Sequence, residues 1–70
     1  MLKIKSEVTG TVWKVLVSAG QSVEVDEVLA IVESMKMEIP ISAERAGQVS
    51  EVLVAEGDPV AEDQVVIHLV

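Results

Sequence analysis

The chain has 70 residues and a formal net charge of −7, with twelve acidic residues, five basic ones and no cysteine. This length fits one domain spanning residues 1–70, and an aliphatic core must hold it together because disulfides and a cysteine-based metal site are excluded. The acidic charge argues against a nucleic-acid partner. Apolar runs reach only about five residues, far short of the roughly 18 in a membrane span, and no secretory signal is visible. We therefore expect a cytoplasmic protein without membrane contact.

The chain contains an internal repeat in which residues 7–28 align with residues 44–65 at an offset of 37 positions. The identical pairs are Glu7 with Glu44, Gly10 with Gly47, Val12 with Val49, Val15 with Val52, Leu16 with Leu53, Val17 with Val54, Gly20 with Gly57, Val23 with Val60, Asp26 with Asp63 and Val28 with Val65. Neither copy is long enough to bury its own apolar face. The repeat therefore predicts two similar halves around a shared core, related by approximate twofold symmetry.

Short strands are the elements that each copy predicts. Gly10 and Gly47 open a strand, and Gly20 and Gly57 mark tight turns, where glycine adopts positive backbone dihedrals most easily. The valine spacing in each copy breaks strict alternation, which indicates bulges at residues 13–14 and 50–51.

The middle of the chain, residues 28–34 and 37–42, predicts two more strands, and no segment favours a helix longer than one turn. We expect an all-β fold with seven or eight short strands in two small antiparallel sheets.

A hairpin formed by these middle strands would place Lys36 at or beside its tip. Pseudosymmetry then places both chain termini at the opposite end of the molecule. Tight hairpins normally use Asn-Gly, Asp-Gly or another glycine-containing pair, and this one has none. Instead, Met35 and Met37 flank the lysine at a turn expected to face solvent. Such local violations tend to fall at functional sites, and exposed methionines adapt well to partner surfaces.

The amine of Lys36 is suited to carrying a covalently attached group, because it can form a stable amide with an activated carboxylate. An exposed lysine amine is mostly protonated at neutral pH, so a separate enzyme must deprotonate it and supply the activated acyl group. The domain itself is therefore predicted not to be an enzyme. Once acylated, the side chain is a flexible arm that raises the local concentration of its cargo at nearby sites.

The segment Glu33, Ser34, Met35, Lys36, Met37, Glu38 resembles the biotin-attachment signature of the biotinyl/lipoyl domain family. The resemblance spans nearly the whole chain, including the paired halves and their glycines. It implies a flattened barrel-sandwich hybrid with Lys36 on an exposed hairpin, contacted by partners through Met35 and Met37. It also implies that a biotin protein ligase attaches biotin to Lys36. The attached group would then carry a carboxyl group from a biotin carboxylase to a carboxyltransferase.

Two departures from the family pattern bear on this interpretation. Ser34 stands where alanine is common, a small-for-small change that we expect to be tolerated. No protrusion is inserted around residues 19–23, unlike the carrier subunit of some bacterial acetyl-CoA carboxylases, so the acceptor substrate stays open.

Lipoate is the alternative cofactor. Lipoyl domains usually have aspartate before the lysine and alanine after it, so Met35 and Met37 favour biotin. Modification by a lipoyl ligase stays open, as does an unmodified interaction module. The chain resembles a free-standing attachment protein, although it could be part of a larger carboxylase, and we expect a monomer in isolation.

The remaining chemically distinctive residues have structural interpretations. His68 is expected to be partly buried or at a strand edge, and a lone histidine makes no metal site. Trp13 is expected to be a packing residue near the first bulge. Lys3, Lys5 and Lys14 are expected to be solvated strand residues, and the scattered acidic residues indicate solubility rather than catalysis.

Overall fold

A computed structural model describes residues 2–70, and this part of the chain contains eight β-strands and no helix. The strands are β1 (Leu2–Lys5), β2 (Gly10–Val15), β3 (Ser22–Val23), β4 (Val28–Ser34), β5 (Met37–Ser42), β6 (Gly47–Val52), β7 (Pro59–Val60) and β8 (Val65–Leu69). The prediction of an all-β fold with seven or eight short strands is confirmed. Valine-rich segments favour this outcome because branched side chains pack well on a pleated sheet. None of the described residues forms a helix long and apolar enough to span a membrane.

The strands form two antiparallel four-stranded sheets, ordered β1-β8-β6-β3 and β5-β4-β2-β7. Their inner faces share one aliphatic core. Its fully buried members include Val12, Leu29, Val32, Val49, Val66, Ile67 and Leu69. Ser6, the buried polar residue of the described chain, donates a 2.6 Å hydrogen bond from its hydroxyl to the Val8 carbonyl. The two sheets thus pack around the shared core that the repeat predicts.

Equivalent hydrogen bonds in the two halves confirm the predicted pseudosymmetry. The amide of Gly20 donates to the Val49 carbonyl at 2.7 Å, and 37 positions on, the amide of Gly57 donates to the Val12 carbonyl at 2.8 Å. Gly20 and Gly57 have φ angles of 92° and 94°, which glycine tolerates best. The repeated residues therefore occupy repeated positions in space.

Both predicted bulges are present. The pairing of β2 with β4 shifts register between Val12 and Lys14, and the pairing of β6 with β8 shifts between Val49 and Glu51. A bulge inserts one extra residue and changes the direction of the side chains around it. In the first half, the inserted residue is Trp13.

The hairpin of β4 and β5 and the described chain ends, Leu2 and Val70, lie in different parts of the fold. From the hairpin, β5 runs for six residues, and residues 43–46 then lead into β6. At the start of β6, Gln48 and Val70 exchange backbone hydrogen bonds of 3.2 and 2.8 Å, and Leu2 pairs with Leu69 on the same side. The longest dimension of the molecule is 31 Å. These contacts support the expected separation of Lys36 from the described ends of the chain.

Candidate functional site

A two-residue turn, Met35–Lys36, joins β4 to β5. Ser34 pairs directly with Met37, and both turn residues have positive φ, 51° at Met35 and 66° at Lys36. Positive φ at both central residues is the mark of a type I′ hairpin turn, which matches the twist of the flanking strands. Asparagine and glycine adopt this conformation with little strain, whereas other L-residues in the left-handed region cost about 1–2 kcal/mol each. The turn therefore holds two strained residues at the hairpin tip.

The side chains of this turn project into solvent. Met35 is 92% exposed and Met37 is 64% exposed, and Lys36 is exposed between them. Core filling by these methionines, which would require the tip to fold inward, is excluded by this exposure. Among residues 2–70, no carboxylate oxygen lies within salt-bridge distance of the Lys36 amine. The amine is therefore accessible to a modifying enzyme.

Two contacts fix the hairpin to the rest of the domain below the turn. The Ser34 hydroxyl donates a 2.9 Å hydrogen bond to the carbonyl of Thr9, in the link between β1 and β2. One residue further along the chain, Gly10 passes so close to the Glu33 carbonyl that a Cβ atom at this position would collide with it. The turn therefore stands on a firmly packed base, and Ser34 has a specific contact that the sequence did not reveal.

Two carboxylates face each other across the same hairpin. Glu33 on β4 pairs directly with Glu38 on β5, and both side chains are exposed. Like charges directly opposite each other in an antiparallel sheet are unfavourable by a few tenths of a kcal/mol. The predicted segment 33–38 therefore presents a lysine at the hairpin tip and two carboxylates on the strands that lead to it.

His68 and Glu51 lie on the sheet that does not contain the hairpin. The Nδ1 atom of His68 is 3.7 Å from a carboxylate oxygen of Glu51, and the histidine side chain is 21% exposed. The prediction of a partly buried histidine is confirmed, although β8 lies inside its sheet rather than at an edge. The part of the chain that the structure describes contains no group of histidine, aspartate or glutamate residues suited to hold a metal ion. Lys3, Lys5 and Lys14 are solvated as expected.

The interpretation of Trp13 as a packing residue was wrong. Its side chain is 42% exposed, and it lines an open groove with Thr11, Val12, Glu33, Glu56 and Gly57. The Nζ atom of Lys14 lies 5.4 Å from the centre of the indole ring. The bulge explains the error, because an inserted residue does not follow the alternation of the strand. The repeat held a usable signal, since the position equivalent to Trp13 is Ser50 and no shared packing role joins these two residues.

Comparison with known proteins agrees with this fold and site. Residues 2–69 match the Biotin_lipoyl family model, described as "Biotin-requiring enzyme". The biotin/lipoyl attachment protein of Bacillus subtilis is 47% identical over 68 residues, covering 97% of this chain and 93% of the relative. The biotin carboxyl carrier protein of acetyl-CoA carboxylase from Haemophilus influenzae is 38% identical over 71 residues, covering 91% of this chain and 46% of the relative. The chain belongs to the biotinyl/lipoyl domain family.

A solved structure supports the same assignment. The crystal structure of Kluyveromyces lactis urea carboxylase contains a region that superposes with a TM-score of 0.93 at 33% identity, covering 99% of this chain and 6% of that chain. The two-sheet architecture is therefore shared with a region of that urea carboxylase.

Proposed function

We propose that this chain is a biotin carrier, with biotin joined through an amide bond to the Nζ atom of Lys36. The observation that carries the proposal is the position of this amine at the tip of a two-residue turn, exposed and without a carboxylate partner among the described residues. The relatives named for biotin attachment and biotin carboxyl carriage support the choice of cofactor.

The site is suited to accept an acyl group on the Lys36 amine, and not to catalyse its transfer. An amine that has lost its proton can attack an activated carboxylate, form the amide and expel the activating group. Among residues 2–70, the side-chain hydrogen bond found at the hairpin is made by Ser34, and no side-chain acceptor bonds the Lys36 amine. We therefore assign the catalysis to a biotin protein ligase. When bound, biotin supplies a ureido nitrogen that can be carboxylated.

The strained turn gives the carrier a defined shape. Strands β4 and β5 fix the direction in which Lys36 leaves the domain, and the contacts of Ser34 and Gly10 hold their base. Beyond the Cα atom, the side chain is free to swing. A rigid base with a flexible arm delivers a group to separate active sites at high effective concentration. In this proposal those sites belong to a biotin carboxylase and a carboxyltransferase.

Met35 and Met37 are proposed as contacts for the ligase and for these partner enzymes. Both are large apolar side chains that remain exposed in the isolated domain. Unbranched thioether side chains adapt their shape to different partners, which suits a tip that enters more than one active site.

Replacement of the lysine tests the proposal. Lys36→Arg keeps a long cationic side chain at an exposed position, so we expect the fold to survive, but guanidinium remains protonated and does not form the amide. Purified protein is incubated with biotin protein ligase, ATP and biotin, and intact mass and peptide mapping follow. Wild-type protein should gain one biotin on the peptide containing Lys36, and the Lys36→Arg variant should gain none.

Lys14→Arg is the matched control, because Lys14 is also an exposed lysine but lies in β2 and not in the turn. It should be labelled as efficiently as the wild type. Labelling of the Lys36→Arg protein, or loss of labelling in the Lys14→Arg protein alone, would refute the assignment. Lipoate at the same lysine is distinguished by mass when both ligases and both cofactors are supplied together.

A further inference from the structure

The groove beside Trp13 lies on the same half of the molecule as Lys36. Its lining residues come from β2, from the end of β4 and from the turn before β7, and its volume is about 410 Å³. We call it the Trp13 groove, lined by Thr11, Val12, Trp13, Glu33, Glu56 and Gly57. Glu33 belongs both to this groove and to the strand that leads into the hairpin turn. The groove is thus continuous with the proposed attachment site.

The internal repeat shows which of these lining residues the fold requires. Gly57 corresponds to Gly20, and Val12 to Val49, and both pairs keep the same hydrogen bond. A Cβ atom added at Gly10 would meet the Glu33 carbonyl, and one added at Gly47 would meet the Val70 carbonyl. Glu33 and Val70 are therefore structurally equivalent as well. These residues therefore define corresponding points at the two ends of the molecule.

The chemistry at these corresponding points is different. Near the termini, the positions equivalent to Trp13, Glu33 and Glu56 are occupied by Ser50, Val70 and Ala19. The same backbone is therefore built there without an indole ring and without carboxylates. The Trp13 groove is not a requirement of the architecture, and the half of the domain that carries Lys36 is the half that has it.

The lining groups suit a small ring that is apolar on one face and donates hydrogen bonds. The partly exposed indole of Trp13 offers a flat apolar surface, while Glu33 and Glu56 supply acceptor oxygens and Thr11 supplies a hydroxyl. One Glu56 oxygen accepts a 3.3 Å hydrogen bond from the Val15 amide, which holds this carboxylate over β2. The fused rings of biotin, with N–H donors on one side and a thioether ring on the other, have this complementary character.

We propose that the Trp13 groove is a resting site for the biotinyl group attached to Lys36 of the same chain, an inference that rests on the proposed function. Glu33 pairs with Glu38 on the hairpin, two residue steps below the turn that carries Lys36, a separation of about 7 Å along the hairpin. A lysine arm extended by biotin can fold back over this distance. Tethering places the group at an effective concentration in the millimolar range, so a site with a dissociation constant of about 1 mM is occupied about half of the time.

The charge of the groove favours one state of the biotinyl group over the other. The ureido ring is neutral before carboxylation and anionic afterwards, and two carboxylates line the groove. Repulsion between like charges favours occupation by the uncarboxylated ring and release of the carboxylated one. The loaded arm would therefore be extended and available to a carboxyltransferase, while the empty arm rests on the domain.

Trp13, the single tryptophan of the chain, reports on the groove directly. Apo protein and ligase-biotinylated protein are compared by acrylamide quenching of tryptophan fluorescence, after intact mass has established the modification state. We expect biotinylation to lower the quenching constant to about half of the apo value, because the docked ring shields the indole half of the time.

Two single variants supply matched controls from the repeat. Glu56→Ala installs the residue that the other half has, and should move the quenching constant of the biotinylated protein most of the way back to that of the apo protein. Ala19→Glu places a carboxylate at the equivalent point near the termini and should leave the quenching constant unchanged. Thermal unfolding of both variants establishes that the fold is retained.

The outcomes separate the two proposals. If Lys36 gains biotin and the apo and biotinylated proteins have equal quenching constants, the resting site is refuted and the carrier function stands. If Trp13 is shielded only when a carboxylase partner is added, the groove is a protein interface and the inference is overturned. If Lys36 gains no biotin under conditions that label another carrier, the proposed function fails, and the resting site fails with it.

Discussion

The conformation of the hairpin turn leads to a prediction about Met35. Its φ angle of 51° lies in the left-handed region, which strains the backbone. Its side chain is 92% exposed, so no packing interaction offsets this strain. Asparagine adopts the same conformation at much lower cost and is preferred at this position of type I′ turns. Met35→Asn should therefore raise the free energy of unfolding by about 1 kcal/mol.

For a domain of this size, a gain of 1 kcal/mol corresponds to an increase in Tm of roughly 4–8 °C. The assay is thermal and urea unfolding of the apo protein. Met37→Asn is the control, because Met37 is also an exposed methionine but lies in β5 without a positive φ. Asparagine is disfavoured in strands, so this control should be neutral or slightly destabilised.

The same substitution should impair modification. If the ligase buries Met35, replacement by asparagine removes an apolar contact worth about 1.5–3 kcal/mol, and kcat/KM for biotinylation should fall about tenfold or more. Stability and labelling would then change in opposite directions. A Met35→Asn protein that is less stable than wild type would refute the argument from strain, and unchanged labelling kinetics would refute the assigned contact.

Three further predictions concern the support of the hairpin and are checked by urea unfolding. Gly10→Ala should lower the free energy of unfolding more than Gly20→Ala, because a Cβ atom at Gly10 would collide with the Glu33 carbonyl. A Cβ atom at Gly20 meets no atom within 4 Å, so Gly20→Ala should cost only about 1 kcal/mol, through its positive φ. Equal losses of stability in the two variants would contradict the close approach at Gly10. Ser34→Ala should cost about 0.5–1.5 kcal/mol through loss of the hydrogen bond to Thr9 while labelling persists; no loss of stability would show that this bond is not needed. Leu29→Ala should cost about 2–5 kcal/mol because Leu29 is fully buried, and Leu16→Ala, at a half-exposed site, should cost much less.

Much of the fold could be predicted because the internal repeat shows the same structural features at two places in the chain. A glycine required by a left-handed turn recurs as Gly20 and Gly57, and the broken valine alternation recurs at both bulges. Chance would not repeat such features at a constant offset. The position of Lys36 followed from the same symmetry, because the link between two halves must lie opposite the ends of the chain.

Contacts between elements far apart in sequence could not be predicted in this way. The bond from Ser34 to Thr9 joins residues 25 positions apart, and no pattern in either segment signals it. Trp13 was misinterpreted for a related reason. Alternation predicts the direction of a side chain in a regular strand, but a bulge shifts that direction by one residue.

Differences between the two halves carry the functional information that similarities cannot. Where both copies agree, as at Val12 and Val49, the residue satisfies the shared core, and the fold explains it. Where they disagree on an exposed surface, as at Trp13 and Ser50, the fold accepts either residue and cannot explain the choice. In this chain the indole and the carboxylates of the groove lie on the half that presents Lys36. A scaffold function does not explain why these groups lie beside one lysine. A carrier function does, because only the end that bears the attached group must interact with it.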